Sequence, residues 1–256
     1  MEVIILEDEI RQSDHQRRNE ETGKLLERNV RKIINDVLEK KGIKALTVAE
    51  ITRYGKVDAS YKKLLPFIMV PVKNSCKQEQ KMTLPDTDIL VLYNQEDRVA
   101  KSRSWLPLCI ISCKASFHAR ETETTFWATQ VHPTKVKFVC VTEDADRYVK
   151  DKKGRLKDTE LKTCDNPNKI RTLLEGFCDR TYIIKKYSEH GYNIIKDIDA
   201  FYSVLERAEA QTFRGITSRL FDDFERKPHA DYCDNVRPFD DLLFDIMNWK
   251  FEKLRN

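Results

Sequence analysis

The stretch that decides the fold runs from Leu84 to Lys114: LPDTDILVLY (84–93), NQEDRVAKSRSWL (94–106) and, after Pro107, LCIISCK (108–114). Two short apolar runs rich in Ile, Leu and Val are each bounded by turn residues, which is the signature of strands. Pro85-Asp86 opens the first and Ser112-Cys113-Lys114 closes the second. Residues 94–106 have no apolar periodicity and read as the connection of a hairpin. The pair therefore sets acidic groups and an ammonium at the ends of neighbouring strands.

Alternation sharpens the reading, because residues two apart on a strand face the same way. Ile110, Ser112 and Lys114 share one face, and Cys109, Ile111 and Cys113 the other. On the first strand Asp86 and Asp88 share a face with Leu90. Two carboxylates, a hydroxyl and a lysine can converge on one point. Such a point can hold a divalent cation with oxygen ligands, and a water beside a lysine, which suits metal-assisted attack on a phosphodiester.

Upstream, a helix capped by Ser13 or Asp14 is expected through about Lys41. Its apolar stripe is Leu26, Val30, Ile33, Ile34, Val37 and Leu38, and Gly42 is its stop. Glu27 lies at the edge of that stripe, with Glu20 further back. A second short helix is expected in ALTVAEITR. Residues 64–72 (LLPFIMVPV), with two prolines, are expected as an edge strand or an irregular extended segment. Downstream, a helix is expected from about His118 to Val131 and a strand over 135–142 (KVKFVCVT). The order becomes α-β-β-β-α-β. Residues 143–170 read as an exposed loop whose centre is Lys150, Lys152, Lys153, Arg155 and Lys157, either a DNA clamp or a solvated surface. A short helix over 170–178, a strand over 181–187, a helical region over 197–226 and an apolar closing helix over 239–254 complete the chain. The closing helix suits either the core or a dimer contact.

The combination of a Pro-Asp dipeptide, an apolar strand and Ser112-x-Lys114 at the end of another strand resembles the PD-(D/E)XK nuclease superfamily, and most of all the type II restriction endonucleases. GKLLE (23–27) in a first helix, and KAS (114–116) followed by Arg120-Glu121, resemble stretches of the same enzymes. The family usually carries Asp or Glu where this chain has Ser112. Some restriction endonucleases with Ser-x-Lys draw a glutamate from a nearby helix. At that spacing this chain has Trp127 and Ala128, and Glu121 and Glu123 are the nearest downstream carboxylates.

The resemblance implies a mixed α/β fold, a restriction-endonuclease-like α-β-β-β-α-β core with a mixed central sheet and added C-terminal helices. A single domain over 1–256 is expected, with a core over about 14–190 and a helical part over about 196–256 for packing, dimerisation or DNA recognition. It implies Mg²⁺ as cofactor, held by Asp86, the backbone carbonyl of Cys113 and Glu27. Lys114 would orient the attacking water, Ser112 would contribute a hydroxyl, and Glu121 or Glu27 would complete the acidic set. Glu27 and Arg120 also read as ordinary surface charges. The expected partners are double-stranded DNA and a second copy of the chain, with a cognate methyltransferase in the same system and no membrane. A repair nickase or recombination resolvase on the same core, and a non-catalytic DNA-binding protein, are the alternatives.

Composition sets the outer bounds. In 256 residues the net charge is +4, 34% of residues are charged and 40% are hydrophobic, as in globular proteins. Seven glycines and the absence of GxxxxGK[ST] or GxGxxG exclude a glycine-rich phosphate loop. The seven cysteines form no CxxC pair, which argues against a structural zinc site and suits a reducing cytoplasm. Cys109, Cys113 and Cys140 read as small buried hydrophobes. No signal peptide and no membrane span are expected.

Overall fold

The computed structural model describes residues 23–74, 79–85, 87–97, 102–117, 121–143, 161–184 and 233–255. The elements within them are α1 over 23–38, β1 (Ile43–Leu46), α2 (Val48–Tyr54), α3 (Ala59–Lys62), α4 (Leu64–Ile68), β2 (Val70–Asn74), β3 (Glu79–Thr83), β4 (Ile89–Asp97), β5 (Ser102–Lys114), α5 (Glu121–Val131), β6 (Lys137–Thr142), α6 (Lys169–Phe177), β7 (Arg180–Ile183), β8 (Val236–Pro238) and α7 (Asp240–Arg255). Six strands form one mixed sheet in the order β1-β4-β5-β6-β7-β8. β1, β4 and β5 are antiparallel neighbours, whereas β5 through β8 run parallel.

Both faces of this sheet are covered, as its largely parallel half requires. On one face, Ile43, Ile89, Val91, Cys109, Ile111, Val139 and Tyr182 pack against Leu26, Val30 and Ile34 of α1 and Leu242, Leu243 and Ile246 of α7. On the other, Leu90, Leu92, Ile110, Phe138 and Cys140 pack against Ile51, Leu64, Ala128 and Leu174 from α2, α4, α5 and α6. Adjacent residues of β5 thus feed opposite layers, as the alternation predicts. Each fully buried aliphatic side chain contributes roughly 1.5–3 kcal/mol. The closing helix packs into the first layer, so it belongs to the core.

Gly42 ends the first helical segment. It follows a 3₁₀ turn (Glu39–Lys41) and adopts φ 72°, donating to Glu39 O. Cys109, Cys113 and Cys140 are buried free thiols. Among the described residues no helix is long and apolar enough to cross a membrane.

Several expectations need correction. The first strand of the α-β-β-β-α-β order is β1, not the segment over 64–72. In that segment Leu64–Ile68 is helical. Pro66 stands in the first turn, where a missing N–H costs no helical bond. Only Val70 onward is extended, and it pairs with β3 in a separate two-stranded sheet.

The stretch 94–106 is mostly ladder rather than connection, since pairing continues to Asp97↔Ser102. A bulge between Val91 and Leu92 lets Leu92 oppose Pro107 while Val91 opposes Cys109, and such a bulge accommodates a proline inside a strand. The polar ribbon is supported by Trp105, which with Tyr54 and Tyr61 surrounds Lys44. The ammonium lies 5.8, 5.4 and 5.9 Å from the three ring centroids, within cation–π range.

The closing strand β8 is an addition to the expected set. The arm over 1–13, residues 14–22 of the expected first helix, His118 and Arg120, the basic centre over 150–157 and the expected helical region over 197–226 lie outside the described residues.

Candidate active site

The last β4–β5 pair at this end of the sheet is Ile89↔Ile111. Asp88 is the next residue outward, and beyond Ile111 the β4 ladder has no backbone acceptor left for Cys113. The Asp88 carboxylate fills that place, and Cys113 N donates to Asp88 Oδ2 over 2.6 Å. The same oxygen stands 4.0 Å from Lys114 Nζ. The loop leading in is pinned, with Pro85 buried and Thr87 Oγ1 donating to Pro85 O over 3.0 Å.

Lys114 is almost fully buried at 6% exposure, and Ser112 is completely buried on the same face of β5. Register places them opposite Thr142 and Cys140 of β6. A buried ammonium needs a compensating charge, and Asp88 supplies one. A strand residue directs its N–H and C=O to the same side, as in the paired residues of an antiparallel ladder. The Cys113 carbonyl therefore faces the side on which Asp88 stands.

Glu27 reaches the site from the opposite layer. The stripe that buries Leu26 and Val30 leaves it half-buried on α1. Its carboxyl is pushed above the usual range first by burial and next by the negative charge of Asp88. Arg31 pulls it down, and Glu50 adds to the repulsion. The buried Cys113 thiol is likewise raised well above its ordinary value, by burial and then by Asp88, Cys140 and Glu27, with Lys114 opposing. The charges of Glu27, Asp88 and Lys114 thus all act on Cys113.

Around Glu27 lies a second set of charges. Arg31, one turn along α1, forms an ion pair with Glu50 Oε1. Glu50 Oε2 accepts from Thr47 N over 2.9 Å, closing the capping box of α2. Neither Arg31 nor Glu50 carries a motif signal, so they appear only once α1 and α2 are placed together.

Of the expected site residues, the structure brings together Glu27, Cys113 and Lys114, with Ser112 next to them on β5. Asp86 lies outside the described residues, and Asp88, two positions on with the same strand parity, is the carboxylate at Lys114. Glu121 is the first residue of α5. Its Oε2 is buried without a hydrogen-bond partner among the described residues. Glu123 is exposed.

No three His, Cys, Asp or Glu side chains cluster in metal-binding geometry among the described residues. The donor set nevertheless fits a hard divalent cation: two carboxylates near one another, that of Glu27 raised by burial first and by Asp88 next, beside a backbone carbonyl.

The chain belongs to the BsaWI family of type 2 restriction endonucleases, whose family model matches residues 59–207. The matched span contains Asp88, Ser112, Lys114 and Glu121, while Glu27 precedes it. Among solved structures the chain is similar to the specific restriction endonuclease AgeI, described in complex with DNA, at 18% identity and a TM-score of 0.44. That likeness covers 63% of this chain and 53% of the other, so it spans about half of that enzyme's length. No curated protein sequence matches the chain.

Proposed function

We propose that the protein is a type II site-specific deoxyribonuclease that hydrolyses phosphodiester bonds in double-stranded DNA with Mg²⁺ and leaves 5′-phosphates. The observation that carries this reading is the position of Asp88, bonded to the Cys113 backbone and next to the buried Lys114 ammonium, in a member of a restriction endonuclease family.

Asp88 and Glu27, with the Cys113 carbonyl, would hold the metal, and Asp86 and Glu121 are the further candidate carboxylates. A bound divalent cation lowers the pKa of a water and neutralises charge on a phosphoryl oxygen. The chain's own groups do the rest. Lys114 orients the attacking water through its ammonium and stabilises the charge that develops on the phosphate. Its burial strengthens both effects, because a desolvated ammonium acts at low effective dielectric. Asp88 fixes the Lys114 head, and the Cys113 N–H fixes Asp88, so the three keep their geometry without substrate. Ser112 contributes a hydroxyl to a water or to a carboxylate.

A homodimer on a two-fold symmetric site, a cytoplasmic location and a methyltransferase in the same system belong to this reading. Incubation of phage-sized DNA with the purified protein, with Mg²⁺ or with EDTA, tests it. Discrete Mg²⁺-dependent fragments are expected. Smearing, or cleavage only of branched or mismatched DNA, would assign a different nuclease activity. Binding without cleavage in either Mg²⁺ or Mn²⁺ would remove the enzyme reading.

A further inference from the structure

Away from the candidate active site, on the layer formed by α5 and α6, the guanidinium of Arg171 is completely buried. Its Nε donates to Glu175 Oε1 over 2.7 Å and its NH1 to Lys162 O over 3.0 Å. Its NH2 faces two sulfurs, Cys164 Sγ at 2.8 Å and Cys233 Sγ at 3.5 Å. The Cys233 thiol donates to Glu175 Oε1 over 3.2 Å, and the shared NH2 of Arg171 places the Cys164 and Cys233 sulfurs beside one another.

The two cysteines come from distant segments. Cys164 sits in the turn closed by the Lys162↔Pro167 bridge, where Lys162 adopts φ 57°. Cys233 lies at the approach to β8, its N donating to Val236 O over 2.8 Å. Both are partly exposed, whereas Cys109, Cys113, Cys140 and Cys178 are buried. The Arg171 cation held against both sulfurs disfavours a divalent metal between them.

We propose that Cys164 and Cys233 are a reversible disulfide-forming pair, oxidised by small-molecule disulfides, that joins the 161–168 turn to the β8 edge of the sheet. Cys233 reacts first, because the Glu175 carboxylate accepts its proton as the sulfur attacks. The new bond joins Cys233 to one half of glutathione disulfide, the old S–S bond breaks, and one glutathione leaves as a thiol.

The Cys164 thiol is pushed up to about 12, by burial first and by its bond with Cys233 second. Capping Cys233 removes that second cause; burial still holds the Cys164 thiol up, and the Arg171 charge opposes it. Cys164 then attacks the mixed disulfide at Cys233, and the second glutathione leaves as a thiol. The pair loses two electrons and two protons, and glutathione disulfide is reduced to two glutathiones.

The test uses the full-length reduced protein, equilibrated with glutathione disulfide, quenched with acid, alkylated and mapped by peptide mass. The expected result is the loss of two titratable thiols and a peptide pair joined through Cys164 and Cys233, reversed by dithiothreitol. With Cys164→Ser, a single glutathione adduct should persist on Cys233. Glutathione adducts in the wild type without a bridge, bridges between other cysteines, or a full complement of free thiols would each overturn the proposal.

Discussion

Burial on α1 first, and the Asp88 carboxylate immediately before β4 next, raise the carboxyl of Glu27. The charge at this point therefore costs the free protein stability. A carboxyl whose folded pKa exceeds its ordinary 4.5 favours folding below 4.5, and that contribution is lost as pH rises through the folded value. Glu27→Gln is therefore expected to be more stable than wild type at pH 7 in EDTA, by up to about 1 kcal/mol after solvent screening, and to lose the advantage near pH 4. Urea midpoints of the two proteins at both pH values check this.

Lys114 is buried with Asp88 as a charged neighbour, and the proposed chemistry uses its ammonium. Lys114→Met keeps the stem and removes the charge. Cleavage is expected to fall by about a thousandfold or more, while a gel shift in Ca²⁺ keeps its midpoint. Cleavage at an unchanged rate would remove Lys114 from the mechanism.

Glu50 has the opposite pH signature to Glu27. Burial alone would raise its carboxyl, but the Thr47 backbone bond and the Arg31 guanidinium outweigh it, and the net shift is below 4.5. Its stabilisation is thus present above 4.5 and is lost as pH falls through the folded value. Glu50→Gln keeps a capping side chain and loses the charge. It should cost about 0.5–1 kcal/mol at pH 7 and progressively less as pH falls below 4.5, as measured by denaturant midpoints.

Gly42 turns the chain from the first helical segment into β1 at φ 72°. A Cβ there would meet Lys250 Nζ at 3.4 Å and Asn94 Cβ at 3.5 Å, which are ordinary contacts. The cost of Gly42→Ala is then the left-handed backbone alone, about 1–2 kcal/mol. A thermal melt measures it, and an unchanged Tm would show that the turn relaxes to another conformation.

The candidate-site end of the sheet was legible in the sequence because the apolar parts of β4 and β5 are short and bounded by turn residues. Their alternation correctly separates Cys113 from Ser112 and Lys114. The Pro-Asp motif points to Asp86, which shares a parity with Asp88 and lies outside the described residues. The nearness of Asp88 to Lys114 follows from the Ile89↔Ile111 register, a cross-strand property that local pattern does not contain. β1, with only four residues, and β8, with three, are too short for a periodic signal. The polar ribbon beyond Tyr93 concealed its pairing because its stability comes from backbone bonds and Trp105, not from an apolar face. The Pro66 helix was missed because a proline in a first turn looks, in sequence, like a proline that ends a strand. Arg31 and Glu50 reach the site only through the packing of α1 against the start of α2.

The central claim is that the carboxylate at position 88 works with Lys114, and one comparison tests it most directly. Asp88→Asn and Asp86→Asn proteins are incubated with the wild-type DNA substrate in Mg²⁺, with melting temperature and Ca²⁺-supported DNA binding measured alongside. Asparagine at 88 still accepts the Cys113 N–H, so the fold should persist. Cleavage by Asp88→Asn is expected to be at least about a hundredfold slower than wild type and slower than that of Asp86→Asn. An Asp88→Asn protein that cuts at the wild-type rate would contradict the account.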